Sequence, residues 1–185
     1  MTEHAMAVFY TYLHDVLSQN MIWPAESNVK QAIKALLLAE RVFVIGNGGS
    51  AATAMHFVND LLKYLPAPIR AMACTNTPLL TAYANDCGYD LVFQKWLEPW
   101  GVDDQDVIFA ITTSGVSENV LRALVATRGK RIVLTAGGPQ CPAALASDIL
   151  LLTDKRDIKQ AEDVQMAICH GLIEALADAL TSGEE

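Results

Sequence analysis

Apolar residues in this chain fall into short unbroken runs separated by longer segments of helical spacing. Val42-Phe43-Val44-Ile45 is the first such run, and the pattern predicts strands over 41–46, 69–74, 107–112, 130–135 and 148–153. Around them apolar positions recur every three to four residues, which predicts helices over 3–20, 26–39, 50–63, 77–86, 90–98, 117–128, 140–146 and 158–181. In the second of these, Val29, Ile33, Leu36 and Leu37 share one face, and Pro24 suits the entry. Short apolar strands alternating with helices describe a parallel sheet covered on both faces. The expected fold is therefore α/β: a three-layer α/β/α sandwich with a five-stranded parallel flavodoxin-like sheet, order 2-1-3-4-5, and two N-terminal helices in front. No linker, repeat or low-complexity stretch interrupts residues 1–185, so one domain is expected.

In open parallel sheets ligands bind beyond the carboxyl ends of the strands, where the strand order reverses. Here that point lies between the first and third strands, and both end in unusual loops. Gly46-Asn47-Gly48-Gly49-Ser50 follows the first. Glycines let the backbone turn tightly, and the N–H groups of the helix that follows point at negative charge. Thr112, Thr113, Ser114 and Ser117 put four hydroxyls around Gly115 after the third strand. Capping the next helix needs only one of them. A phosphorylated small molecule is the ligand class that suits both loops. A nucleotide cofactor is not expected, because the chain has neither G-x-G-x-x-G nor a Gly-Lys-Ser/Thr phosphate loop here.

Two helices carry further candidate chemistry. His56 and Asp60 are four apart, on one face of the helix that begins in the glycine loop. Glu162 and His170 are eight apart on the last helix, a little over two turns. Two imidazoles and two carboxylates suit a tetrahedral metal site, an acid–base pair with supporting groups, or unrelated surface positions, and spacing alone does not choose among these.

The net charge of −8 rules out a broad basic face for nucleic acid, so phosphate must be gripped locally. Apolar residues make up 52% of the chain, which favours an oligomer that buries some of that surface. Cys74, Cys87, Cys141 and Cys169 have no C-x-x-C spacing and read as reduced thiols. With no leader-like start and no apolar run of membrane-spanning length, the expected location is cytoplasmic, without membrane contact.

Three segments, GNGGSAATAMHF (46–57), TAYANDCGYDLVF (81–93) and ITTSGVSENVLRAL (111–124), together resemble the sugar isomerase (SIS) domain family, and within it phosphoheptose isomerase and its relatives. The resemblance spans roughly residues 1–180. It implies a homotetramer with active sites shared between neighbouring subunits, residues 1–39 packing on the core and on those neighbours. It implies aldose–ketose isomerisation of sedoheptulose 7-phosphate for bacterial surface glycans such as lipopolysaccharide. A non-catalytic phosphosugar-binding or regulatory relative, of the replication-initiation-regulator type, is the alternative. By the same resemblance Thr112, Thr113, Ser114 and Ser117 fall on the phosphate loop, and Asn47, Gly48, Ser50 and Asp86 on substrate-facing positions. Asp60 and His170 fall on the catalytic base and acid, and His56, Asp60, Glu162 and His170 on the ligands of a zinc ion, Zn(2+), found in some members. This chain departs from the family in having Asp60 for a glutamate and Glu162 for a glutamine, with Gln160 as the rival for the latter position.

Overall fold

The computed structural model describes residues 11–12, 14–16, 23–154 and 157–182. Most of the helix expected over 3–20 lies outside the described residues; within it, 11–12 and 14–16 are helical. The strands are β1 (Val42–Gly46), β2 (Ala71–Ala73), β3 (Val107–Thr112), β4 (Lys130–Thr135) and β5 (Ile149–Leu152). They form one sheet in the order β2-β1-β3-β4-β5, and every pairing is parallel. The helices are α1 (Glu26–Leu38), α2 (Gly49–Lys63), α3 (Thr77–Cys87), α4 (Val92–Leu97), α5 (Glu118–Ala126), α6 (Pro142–Leu145) and α7 (Ile158–Ser182).

Side chains of a strand alternate between the two faces of its sheet, and here both faces are dry. Val42 and Val44 of β1, with Val107, Phe109 and Ile111 of β3, pack under α1, α2 and α7. Phe43 and Ile45, with Ile108 and Ala110, pack under α4, α5 and α6 on the other side. Phe57 of α2 meets Phe109 with ring centroids 5.0 Å apart, in the middle of the first layer. Removing such a buried ring costs about 3–5 kcal/mol. α1 closes the same layer, and its Asn28 Nδ2 donates to the carbonyl of Leu150 on β5 at 2.8 Å.

Several elements are shorter than the apolar pattern suggests. β2 keeps only Ala71–Ala73 of the expected 69–74, because the backbone N–H of Ile69 is taken by the Leu61 carbonyl at 3.2 Å. α4 is Val92–Leu97, flanked by 3-10 turns at Tyr89–Leu91 and Glu98–Trp100. α6 begins at Pro142, whose ring presets the backbone for the first helical position. α2 and α7 lie side by side and run in the same direction: Glu162 near the start of α7 touches Gly49 at the start of α2, and His170 further on meets His56 and Asp60. No helix among the described residues is long and apolar enough to cross a membrane.

Candidate active site

The loop after β1 depends on its glycines. A Cβ at Gly46 would stand 2.8 Å from the backbone of Ser50 and 3.0 Å from the carbonyl oxygen of Ile111. Only a hydrogen there lets α2 begin hard against the end of β3. Gly48 then turns with φ of +55°, a region that side chains avoid. The result holds Asn47 half-buried over the gap between β1 and β3, with Ser50 buried in the first turn of α2.

The loop after β3 is tied from within. Thr112 Oγ1 accepts the N–H of Gly115 at 3.2 Å, and Ser114 Oγ accepts that of Val116 at 3.4 Å. Ser117 takes the N-cap position of α5, yet its hydroxyl makes no capping bond. The loop after β4 presses on this one: a Cβ at Gly137 would come within 2.2 Å of the Ser114 carbonyl oxygen. Between them opens a cavity of about 640 Å³, lined by Thr113, Ser114, Gly137, Cys141 and Ile158 among others. The loops after β1 and β3 meet through side chains as well. Asn47 and Asn119, in the first turn of α5, exchange two hydrogen bonds, 2.9 Å and 2.8 Å. Thr112, Thr113, Ser114, Ser117, Asn47, Gly48 and Ser50 thus gather at one end of the sheet. Asp86 stands apart, exposed near the end of α3 with Asn85 donating to its carboxylate at 2.9 Å.

A second cluster lies down the α2–α7 seam. Asp60 Oδ2 is 3.3 Å from His56 Nε2 and 3.8 Å from His170 Nε2, and the two Nε2 atoms are 3.0 Å apart. The Asp60 side chain is almost wholly buried, whereas the two imidazoles are about half exposed, 48% and 51%. Asn59 Nδ2 donates to Asp60 Oδ1 at 2.9 Å, which leaves Oδ2 to face the histidines. Two ligand atoms about 2.1 Å from a tetrahedral zinc ion stand about 3.4 Å apart, and these three spacings bracket that value. Among the described residues, His56, Asp60 and His170 are the group of His, Cys, Asp or Glu side chains that fits a metal ion.

Glu162, expected as a fourth member, is elsewhere. Its carboxylate packs over Gly49, where a Cβ on that glycine would come within 2.3 Å of it. The reason is axial offset. Eight residues along a helix are about 12 Å, so Glu162 stands level with the glycine turn and not with His170. Its rival Gln160 is half-buried in the first turn of α7, its N–H given to Asp157 Oδ1 at 3.1 Å. For the same reason the two clusters do not share one pocket within the chain. Asp60 follows Gly49 by eleven residues of α2, about 16 Å along the axis.

Sequence reasoning passed over two buried polar residues. Asn119 is 3% exposed and serves as the partner of Asn47. Gln165 is fully buried on α7, donating to the Thr112 carbonyl at 3.4 Å while its Oε1 has no partner among the described residues. A lone amide in the apolar stripe Ala161, Val164, Ile168, Leu172 was the available signal. Two of the thiols are poor nucleophiles: burial, and then the Asp60 charge, push Cys169 up, and burial pushes Cys74 up to about 12.

An all-parallel 2-1-3-4-5 sheet with a hydroxyl-rich loop at its switch point is the architecture of a SIS-domain protein, and the SIS domain family profile matches residues 10–136. Phosphoheptose isomerase of Mycobacterium tuberculosis is 38% identical over 146 residues, 76% of this chain and 74% of that protein. The Rhodospirillum rubrum phosphoheptose isomerase is 36% identical over 168 residues, 86% of this chain and 88% of that one. The solved phosphoheptose isomerase of Francisella tularensis superposes with a TM-score of 0.79 at 27% identity, covering 96% of this chain and all of that one. The chain belongs to the phosphoheptose isomerase family of SIS-domain proteins.

Proposed function

We propose that this protein is an aldose–ketose isomerase that interconverts sedoheptulose 7-phosphate and the corresponding heptose 7-phosphate. The observation that carries this reading is the pairing of Asp60 with His170, a carboxylate and an imidazole brought within 3.8 Å by two different helices. Isomerisation needs a base to take the proton from the carbon beside the carbonyl and an acid to protonate the carbonyl oxygen. Asp60 Oδ2, free of the Asn59 bond, is the base. His170 is the acid, and the enediol collapses by returning the proton to the neighbouring carbon.

The phosphate is held by the hydroxyls of Thr112, Thr113, Ser114 and Ser117 together with the first N–H groups of α5. Asn47, Gly48, Ser50 and Asp86 face the sugar. His56, Asp60 and His170 would hold a zinc ion, and the carboxylate–imidazole donor set suits that metal; ligation and acid–base duty compete for Asp60 Oδ2 and His170 Nε2, so the proton transfers by these two groups belong to the metal-free site. When bound, such an ion polarises the sugar oxygens as a Lewis acid. Glu162 is not assigned as a ligand in this reading, because its carboxylate belongs to the glycine turn.

The separation of the two clusters along α2 supports an oligomeric site: the seam of one subunit serves the phosphate loop of a neighbour. We place the protein as one domain in a cytoplasmic homotetramer, with residues 1–39 packing on the core and across subunits, supplying heptose for bacterial surface glycans. The test is turnover of sedoheptulose 7-phosphate followed by mass spectrometry, with and without zinc. Asp60→Asn and His170→Gln should each reduce kcat by about a thousandfold with unchanged circular dichroism. No turnover by the unaltered protein, or full activity in both variants, would overturn the assignment.

A further inference from the structure

The amide pair joining the two loops has a fixed polarity. Asn47 Nδ2 donates to Asn119 Oδ1, and Asn119 Nδ2 donates to Asn47 Oδ1. Taken alone, such a pair can be turned over as a unit, both amides flipping together. A third contact prevents it. Asn119 Oδ1 also accepts the backbone N–H of Val120 at 3.0 Å, which it shares with the Ser117 carbonyl at 3.0 Å, and a backbone N–H is only ever a donor, so an Asn119 NH2 group in that place would face it donor to donor. The orientation of Asn119 is therefore set by the backbone of α5, and that of Asn47 by Asn119. The Tyr89 hydroxyl, 2.9 Å from Asn47 Oδ1, is in turn obliged to donate.

The hydrogen-bonding capacity of Asn47 can now be counted. Its Oδ1 has two lone pairs and accepts from both Asn119 and Tyr89. Its Nδ2 has two hydrogens, and one is given to Asn119. One N–H is left over. We infer that Asn119 is a positioning residue that makes Asn47 a one-sided donor, so that Asn47 selects an acceptor oxygen of the bound sugar phosphate. Asn119 is buried and acts through Asn47, not on the substrate itself. The inference rests on the isomerase reading for the identity of the ligand; the polarity of the pair does not depend on it.

Asn119→Asp is the informative variant. The carboxylate keeps the size and still accepts from Val120, but it has no hydrogen for Asn47 Oδ1. Either way round, Asn47 then makes one N–H···O bond and one O···O contact with the carboxylate, so its polarity is no longer fixed and its free N–H is no longer held toward the ligand. The expected result is a rise of about tenfold in KM for sedoheptulose 7-phosphate, measured well below a Tm that itself falls because the new carboxylate is buried. In an Asn47→Ala background the same substitution should add nothing to KM, since the two residues act in series. An unchanged KM in Asn119→Asp, or effects that multiply in the double variant, would overturn the inference. A second readout is independent of turnover. In the ligand-free 15N-labelled protein, the side-chain N–H of Asn47 should exchange with solvent about tenfold more slowly than that of an exposed asparagine, and lose this protection in Asn119→Ala, which removes the acceptor. Rapid exchange in the unaltered protein overturns the positioning role. Absence of turnover beside slow exchange overturns only the isomerase reading.

Discussion

His56 and His170 face each other across the α2–α7 seam with their Nε2 atoms 3.0 Å apart, above the buried carboxylate of Asp60. One ring nitrogen donates to the other in this contact, the roles being set by the tautomers. A zinc ion would replace that bond with three ligand bonds at nearly the existing spacings. Added zinc should therefore raise Tm. At a free concentration a hundred times Kd the stabilisation is about 2.7 kcal/mol, several degrees for a chain of this size. His56→Ala and His170→Ala should each abolish the shift in a thermal melt. A shift that survives both variants would place the metal elsewhere.

The distance between the clusters makes a second expectation. If the seam of one subunit completes the loop of another, two inactive variants should rescue each other. Asp60→Asn spoils only the seam, and Ser117→Ala combined with Thr113→Ala spoils only the loop. Co-refolding equal amounts should return about a quarter of the sites to full composition, because each site draws one half from each of two subunits at random. The measurement is turnover of the mixture against that of either variant alone. No recovery from a demonstrably mixed oligomer would mean that loop and seam serve the same chain.

Much of this arrangement was legible from the chain, and what was not has identifiable physical causes. Alternation of Val42 and Val44 with Phe43 and Ile45 carries a two-faced buried strand, and Gly46 marks its end because α2 must start in contact with β3. His56 and Asp60 converge because i and i+4 share a helix face. Their meeting with His170, 114 positions from His56, follows from no local rule and came from the family resemblance alone. Glu162 was assigned by the resemblance, and within the chain the axial rise of eight residues, about 12 Å, sets it level with the glycine turn and away from His170. Asn119 was hidden because a polar residue in the first turn of a helix is ordinary. Its partner Asn47 is 72 positions away.

The Glu162 carboxylate packs against the glycine turn, beside the loops that in the proposed reading receive an anionic sugar phosphate. The carboxylate gains from the N-terminal end of α2, but it repels a second anion arriving there. Glu162→Gln keeps the shape and removes the charge. KM for sedoheptulose 7-phosphate should fall about threefold to tenfold with little change in kcat, and Tm should drop slightly as the helix-end interaction weakens. Steady-state kinetics at low ionic strength would reveal this most clearly, since added salt screens the repulsion. A rise in KM would assign Glu162 a direct bond to the sugar instead.

Stability near the other end of the sheet depends on Arg41 and Asp106. Arg41 Nε and Nη2 donate to the two carboxylate oxygens at 2.8 Å and 2.6 Å, and the N–H of Asp103 adds a third bond at 3.1 Å. The Asp106 side chain is fully buried and Arg41 is only a quarter exposed. Arg41→Ala strands a buried carboxylate, at a cost of about 3–5 kcal/mol. That corresponds to a fall in Tm of about 6–20 °C by calorimetry. The double change Arg41→Met with Asp106→Leu should be less damaging than Arg41→Ala, because no charge is left behind.

The Arg131–Asp148 pair sets a pH dependence whose direction can be worked out. Arg131 donates from its backbone N, Nε and Nη2 to Asp148, at 2.8, 3.0 and 2.8 Å. The Arg131 side chain, more than its backbone N–H, holds the Asp148 carboxyl below its ordinary value of 3.8. The folded state thus binds a proton less readily than the unfolded chain. Its advantage is complete above pH 3.8 and disappears as pH falls through the lower folded value. Both side chains are about a third exposed, so the contribution is modest, about 1 kcal/mol. Asp148→Asn should lower stability at pH 7 by that amount and have a diminishing effect as the solution is acidified below pH 4. Urea midpoints measured from pH 7 to pH 3 check this: the unaltered and variant curves should converge at the acid end, and a constant gap between them would show that the bond to Arg131 does not depend on the charge of Asp148.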